Sequence, residues 1–529
     1  MRKLTMSLIA LAGLGIAAGP DPASAQDLTV TWADDSTSDV TFDPRVTQSR
    51  HEEQVIVQVF DQLVYVDENN AMHPWLATSW TMATDAKSVT LKLREGVKFH
   101  DGTPFDAEAV KFTFDSIVDP ATGSQGAIDI LGPYERAEIL GPHEIRIHYK
   151  RPFAAALNAF SENELSPVSP TAVRKMGNVP FGIAPVGTGP FRFVSWEKNR
   201  QVILERNPDY AWAPAPMENK GPSKVAKIVH RYIPDASTRV AALERGEIDI
   251  SDITPPLDMR RLRDSAKFKV LVGNAGGLPY GALLNTSRGP FADLKVRQAF
   301  MMAVDRPKLA QSLFFGFADA AWGPLSASTP GYWPGVEKYY GFDRAKAEAL
   351  LDEAGWKAGP GGVRVKDGKP LQVYFPALLE PETAVALQGE ARRAGFDVKV
   401  ENVLKAKQDE LIFANDYDVL VIRWVHSDPS MLEIPFHSRN VPEPGKFKFN
   451  WARVKDPALD KLLEDAASAP TPEARAQLYH DAQKAIMDRA IYFAVHNQVQ
   501  TIAHSARIAG LHFAVGNWQV RLYDVKAVN

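Results

Sequence analysis

No cysteine occurs anywhere in the chain, and this limits how its 529 residues can be held together more than any other feature. Without a thiol there can be no disulfide staple, no thiolate metal site, no iron–sulfur cluster and no cysteine nucleophile. The acylated cysteine that tethers a lipid-anchored exported protein is excluded as well. Cohesion must come from buried apolar surface, and at this length two or three domains with their own cores are expected. Hydrophobic residues make up 45% and charged residues 23%, the balance of an ordinary globular protein. With 60 basic and 64 acidic residues the net charge is −4, so there is no footprint for nucleic acid.

The first residues read as an address. Arg2 and Lys3 precede an apolar run from Leu4 to Ala18, and Ala23-Ser24-Ala25 follows. A basic start, a short apolar stretch and a small-x-small site form the pattern of a secretory signal peptide, residues 1–25, with cleavage expected before Gln26. A membrane anchor needs about 20 apolar residues, and Gly19-Pro20-Asp21-Pro22 interrupts the run too early. No later stretch offers about 20 predominantly apolar residues in a row. The expected product is exported, not membrane-embedded and unanchored, which points to the periplasm of a Gram-negative cell.

Helical and extended patterns alternate from end to end, as in an α/β protein. Leu28–Trp32 alternates like a strand, and His51–Leu63 carries apolar residues at helical spacing. Thr103 followed by Asp106 resembles an acidic capping box before a helix over Ala107–Ile117. Asp235 is placed to cap Ala236–Arg245 with Gly246 as its stop, and Gly355 ends Arg344–Ala354 in the same way. Leu371–Phe375 and Val398–Val400 flank the helical stretch Thr383–Ala394, a βαβ signature that Asp418–Ile422 is expected to continue. Helices over Ala458–Ala466 and Pro472–Arg489 precede strands near Ile491–His496 and Thr501–His504.

Catalytic signatures are missing: there is no H-E-x-x-H, G-x-S-x-G, P-loop or G-x-G-x-x-G. His426 and His437 stand eleven residues apart, which fits no compact zinc motif. No catalytic residue, no metal ligand and no cofactor are therefore expected. The informative concentration is aromatic and polar. Trp424 follows the apolar strand Asp418–Ile422 and leads into Val425-His426-Ser427-Asp428-Pro429. The carboxyl end of a strand in an α/β sheet is where ligands usually sit. Trp424 offers a flat apolar wall. Asp428 has two readings that stand side by side: a hydrogen-bond acceptor for a ligand, or the cap of a turn with Pro429 at its first position.

Read in order, the chain resembles the family 5 extracellular solute-binding proteins, the dipeptide, oligopeptide and nickel group serving ABC importers. The resemblance rests on Leu76-Ala77-Thr78-Ser79-Trp80 and on the run Leu93-Arg94-Glu95-Gly96-Val97-Lys98-Phe99-His100-Asp101-Gly102-Thr103-Pro104-Phe105. It continues through Arg206-Asn207-Pro208-Asp209-Tyr210, Ala241-Ala242-Leu243-Glu244-Arg245-Gly246-Glu247-Ile248-Asp249-Ile250 and Ala349-Leu350-Leu351-Asp352-Glu353-Ala354-Gly355. It implies a two-lobed periplasmic-binding-protein fold with a hinge and an additional domain inserted in the first lobe. Lobe 1 would combine 27–62, 181–283 and 505–529; the extra domain would be 63–180 and lobe 2 would be 284–504. It also implies a monomer that captures a peptide-like or other polar organic solute, breaks no bond and hands the solute to an ABC permease with its ATPase. The binding residues implied are Trp424, Asp428, His426, Arg423 and Ser427, with Thr41 and Phe42 after the first strand.

Departures from the family pattern bear on the ligand. Peptide-binding relatives carry a longer acidic stretch after this tryptophan, whereas only Val425-His426-Ser427 separates Trp424 from Asp428. The dipeptide group carries an arginine for the peptide carboxylate after the strand matching Leu371–Phe375; here Pro376-Ala377-Leu378-Leu379-Glu380 stands instead. An unpaired buried carboxylate is costly, which keeps an opine, an oligosaccharide or a small aromatic compound in competition with a dipeptide. A secreted two-lobed hydrolase is the alternative class, and it predicts turnover.

Overall fold

The computed structural model describes residues 27–528 apart from 37–39, 48, 68–70, 444, 470 and 515–517. The expected signal peptide and its cleavage site before Gln26 lie outside the described residues. Among the described residues no helix is long and apolar enough to cross a membrane.

The alternating segment Leu28–Asp34 forms the middle of a seven-stranded sheet, parallel to Val225–Tyr232 on one side and Ile250–Ser251 on the other. Phe268–Asn274 and Val499–Ser505 complete one edge of it. Helix Arg50–Val59 begins where the Ser49 side chain accepts from the His51 N–H. It buries Val55, Ile56 and Val59 against Val30, Trp32 and Ile228. Asp235 caps Ala236–Glu244 at 2.7 Å from the Thr238 N–H, and Gly246 follows with φ 73°, as the spacing predicted.

A second core stands on the four-stranded antiparallel sheet of 77–82, 88–93, 144–149 and 134–141, covered by helix Ala107–Val118. The cap of that helix is Asp106, which accepts from the Ala109 N–H at 3.1 Å. Thr103 instead closes a turn on Asp101, with Gly102 at φ 85°, so there is no reciprocal capping box. The turn takes Thr103 because its N–H and hydroxyl both reach the Asp101 carboxylate.

The remaining cores stack helices on Gln372–Ala377 paired parallel with Asp397–Asn402, and on the three-stranded sheet of 419–425, 277–284 and 492–496. The strand beginning at Val419 does not continue the βαβ pair, contrary to expectation. It lies antiparallel to Gly277–Leu284. Only Asp418 reaches across, giving its N–H to the Tyr374 carbonyl at 3.0 Å and accepting the Tyr374 N–H at 2.8 Å.

The chain passes between the seven-stranded and three-stranded sheets twice, at Ala275–Gly276 and at Asn497–Gln498, where the Ala275 N–H donates to the Gln498 carbonyl at 3.0 Å. The expected limits at 283/284 and 504/505 thus fall inside strands. Contacts made far along the chain set these crossing points, and only the first is marked locally, by the run Asn274-Ala275-Gly276-Gly277.

Candidate functional site

Strand Val419–Val425 ends at the crossing point. Gly277 has φ 99°, and a Cβ there would stand 2.3 Å from the Trp424 carbonyl oxygen, so glycine is required for the two strands to lie this close. The His426 N–H then donates to the Gly276 carbonyl at 3.3 Å, which fixes the segment His426–Ser430 directly to the hinge. Trp424 is half-buried, with its ring edge-on to Phe449 at 5.1 Å.

Asp428 is 2% exposed, and both of its carboxylate oxygens are engaged. Its Oδ1 accepts from the Ser430 N–H at 2.8 Å, capping the turn Pro429–Leu432, and from Arg475 Nη2 at 2.6 Å. Its Oδ2 accepts from Asn158 Nδ2 at 2.8 Å, and Asn158 stands on the short helix Ala156–Ala159, which packs into the core of the four-stranded sheet. Burial pushes the carboxyl up, but the Arg475 charge and these hydrogen bonds outweigh it and hold Asp428 well below the usual carboxylate range. Beside it the Ser427 hydroxyl donates to Glu162, a second bond from the segment His426–Ser430 to the stretch around Asn158. The two bonds close over a cavity of about 50 Å³ whose walls include Phe153, Ala159, Glu162 and His426.

The facing wall is acidic. Glu162 precedes the turn Asn163–Leu165 and Glu164 lies within it, and Glu53 on helix Arg50–Val59 feels the charge of both. Burial comes first in pushing Glu162 up to about 7, followed by the Asp428 charge, against the Ser427 hydrogen bonds. Burial and then the Glu162 charge push Glu164 to about 7. Glu53 is raised well above its ordinary value by burial and by Glu164, although Gln519 donates to it. Arg50 lies under the Trp518 ring at 5.2 Å, with its Nη2 committed to Asp252 at 2.9 Å.

The other expected residues fall elsewhere. Arg423 is exposed and pairs with Glu380 at 2.8 Å; Glu380 also meets His496 Nε2 at 2.9 Å. His496 in turn stacks on Tyr280 at 4.7 Å, so this chain of contacts braces the three-stranded sheet. Phe42 is fully buried in the lobe 1 core against Trp196. Thr41 gives its N–H to Glu52 at 3.0 Å, and its hydroxyl oxygen accepts from the Asp43 N–H at 3.1 Å. The structure thus gathers Trp424, His426, Ser427 and Asp428 at the cleft and leaves Arg423, Thr41 and Phe42 in bracing or packing contacts. Sequence reading missed Asn158, Glu162, Arg475 and Glu53. Only the closely spaced acids of Glu162-Asn163-Glu164 offered a local signal.

Comparison with known proteins shows where this architecture recurs. A chain of Brucella ovis, named as a candidate peptide-binding protein of an ABC transporter, is 29% identical over 445 residues, 81% of this chain and 80% of its own. The glutathione-binding protein of Shigella flexneri is 27% identical over 492 residues, covering 92% of each. Among solved structures, NikA from Brucella suis in complex with Fe(III)-EDTA superposes with a TM-score of 0.84 at 25% identity, over 95% of this chain and 100% of that one. Residues 71–441 match the family model described as bacterial extracellular solute-binding proteins, family 5 Middle. On that match, which spans well over half of the chain, the chain belongs to the family 5 bacterial extracellular solute-binding proteins.

Proposed function

We propose that this chain is the periplasmic receiving component of an ABC importer, released by cleavage before Gln26 and acting as a monomer without turnover. It takes a peptide-like or other polar organic solute between two lobes and presents the closed form to a permease whose ATPase supplies the energy. The observation that carries this reading is the pair of bonds across the cleft, Asn158 to Asp428 and Ser427 to Glu162, made by a segment fixed to the hinge. A solute held by both walls stabilises the closed form through contacts absent when the lobes part, which is all that population shift requires. Trp424 supplies an apolar face and the His426–Ser430 segment supplies polar atoms, the mixture typical of enclosed sites. The domain division we adopt follows the sheet crossings at Ala275–Gly276 and Asn497–Gln498.

Arg475, Ser430 and Asn158 already engage both oxygens of Asp428, and no arginine follows the strand Gln372–Ala377. Both features favour a solute other than an ordinary dipeptide. A thermal-shift screen over peptides, opines, sugars and aromatic acids tests this, since a solute bound only by the folded form raises Tm by mass action. A hit among opines or aromatic acids with none among dipeptides is expected. A screen in which dipeptides give the only shifts overturns the preference. Conversion of any hit overturns the reading in favour of a hydrolase.

A further inference from the structure

Arg50 opens helix Arg50–Val59, and its guanidinium is only partly used. Its Nη2 donates to Asp252 at 2.9 Å, whereas Nε and Nη1 are shut off from solvent and have no acceptor among the described residues. The side chain is 14% exposed and lies under the Trp518 ring at 5.2 Å. Fully buried Asp252 does not depend on Arg50 alone, since it also accepts from Gln54 Nε2 at 3.2 Å and from Gln500. Other acids near Arg50 have donors of their own: His51 Nε2 stands 2.7 Å from Asp35, and Gln519 donates to Glu53. The acids here are answered, and two of the guanidinium nitrogens are not.

Contacts put this guanidinium beside the hinge. Gln500 follows the crossing at Asn497–Gln498, so Asp252 ties Arg50 to it. The same helix packs against the turn Asn163–Leu165, next to Glu162 and its partner Ser427. A guanidinium is always charged, presents its donors in one plane and bonds most strongly to a planar carboxylate. The Trp518 ring covers one face and keeps water off it, which leaves acceptors in the plane. That ring is half-buried on the turn before Gln519, so a modest displacement of it admits an acceptor. Resting on the reading of a solute captured between two walls, we infer that Arg50 binds the solute, its Nε and Nη1 receiving a carboxylate. The class then narrows to carboxylate-bearing solutes and sets neutral oligosaccharides aside. Arg50 stands on a different element from the position after Gln372–Ala377, where this chain has no arginine.

Acetate is the probe, and the Nε–H resonance of Arg50 in nitrogen-15-labelled protein is the readout. Its loss in Arg50→Lys, a variant that keeps a positive charge beside Asp252, assigns the resonance. Trp518→Leu moves the same resonance by removing its ring current, a second assignment that leaves Arg50 in place. Acetate is expected to shift it saturably, with half-effect in roughly the millimolar range. Acetamide leaves it in place, and chloride at the same ionic strength moves it far less. An acetate response no larger than that of chloride overturns the inference and leaves capture between the walls intact. So do thermal shifts given by neutral sugars alone, equal in the parent and in Arg50→Lys. A resonance that answers acetate, together with conversion of a solute in the screen, overturns capture without turnover and leaves Arg50 as the acid-binding residue.

Discussion

Asp428 and Glu162 face each other across one cleft, yet the two sides treat a carboxylate in opposite ways. On the lobe 2 side, Asp428 is given Arg475 at 2.6 Å, a backbone N–H at 2.8 Å and an amide at 2.8 Å, and it stays ionised while almost fully buried. On the extra-domain side, Glu162 and Glu164 receive no cation and rise toward neutrality. A carboxylate with its partners built in is a structural pin. One without them must find a proton or an incoming group when the cleft closes. The pin holds the segment His426–Ser430 in shape, while the facing carboxyls have only neutral donors to offset their burial.

Removing the cation from the pinned side should have the largest effect. Arg475→Met leaves Asp428 buried and uncompensated, and the expected loss is about 3–5 kcal/mol of folding stability at pH 7, read by urea denaturation. A loss below about 1 kcal/mol, the scale of an exposed pair, would mean that the two sides do not differ as described. Because the Asp428 carboxyl is depressed, its contribution is present above the ordinary carboxylate range and disappears only as pH falls below it. Next in size is Trp424→Ala, which is expected to weaken solute binding by about 1–3 kcal/mol in calorimetry. Unchanged affinity would remove Trp424 from the contact surface.

The unpaired side predicts a gain. Glu162→Gln should stabilise the protein at pH 8 by about 1–2 kcal/mol, after discounting for partial exposure to water. The sign follows from the raised carboxyl, whose stability contribution is present at low pH and lost as pH rises through about 7. The difference in Tm between variant and parent should therefore vanish below about pH 4.5, the ordinary glutamate range. A destabilised variant at pH 8 would show that Glu162 is ionised and satisfied. The smallest effect belongs to Asn158→Ala, about 0.5–1.5 kcal/mol for one neutral donor. It should appear as faster solute release with little change in capture rate.

Much of the scaffold was legible because local rules decided it. Asp235 and Gly246 bound their helix as their spacing required, and the aromatic and polar cluster after Val419–Val425 does stand at a strand end beside the hinge. The partners of that cluster were not legible. Asn158 lies 270 residues from Asp428, and Arg475 lies 47 away on another helix, so no window of sequence holds them together. Pairing of Gly277–Leu284 with both 419–425 and 492–496 likewise joins segments more than 130 residues apart, which no local window could reveal. Phe42 followed a strand as a pocket residue would, but its ring fills the lobe 1 core, a choice made by Phe193 and Trp196 from far along the chain.

The most direct test is native mass spectrometry of the full-length mature chain with the solute that gives the largest thermal shift, followed by release and chemical identification of what was bound. One solute per chain, recovered unchanged and held more weakly by Trp424→Ala, is the predicted result. A solute recovered in altered form, or no solute retained by the chain, would contradict capture without turnover between the lobes.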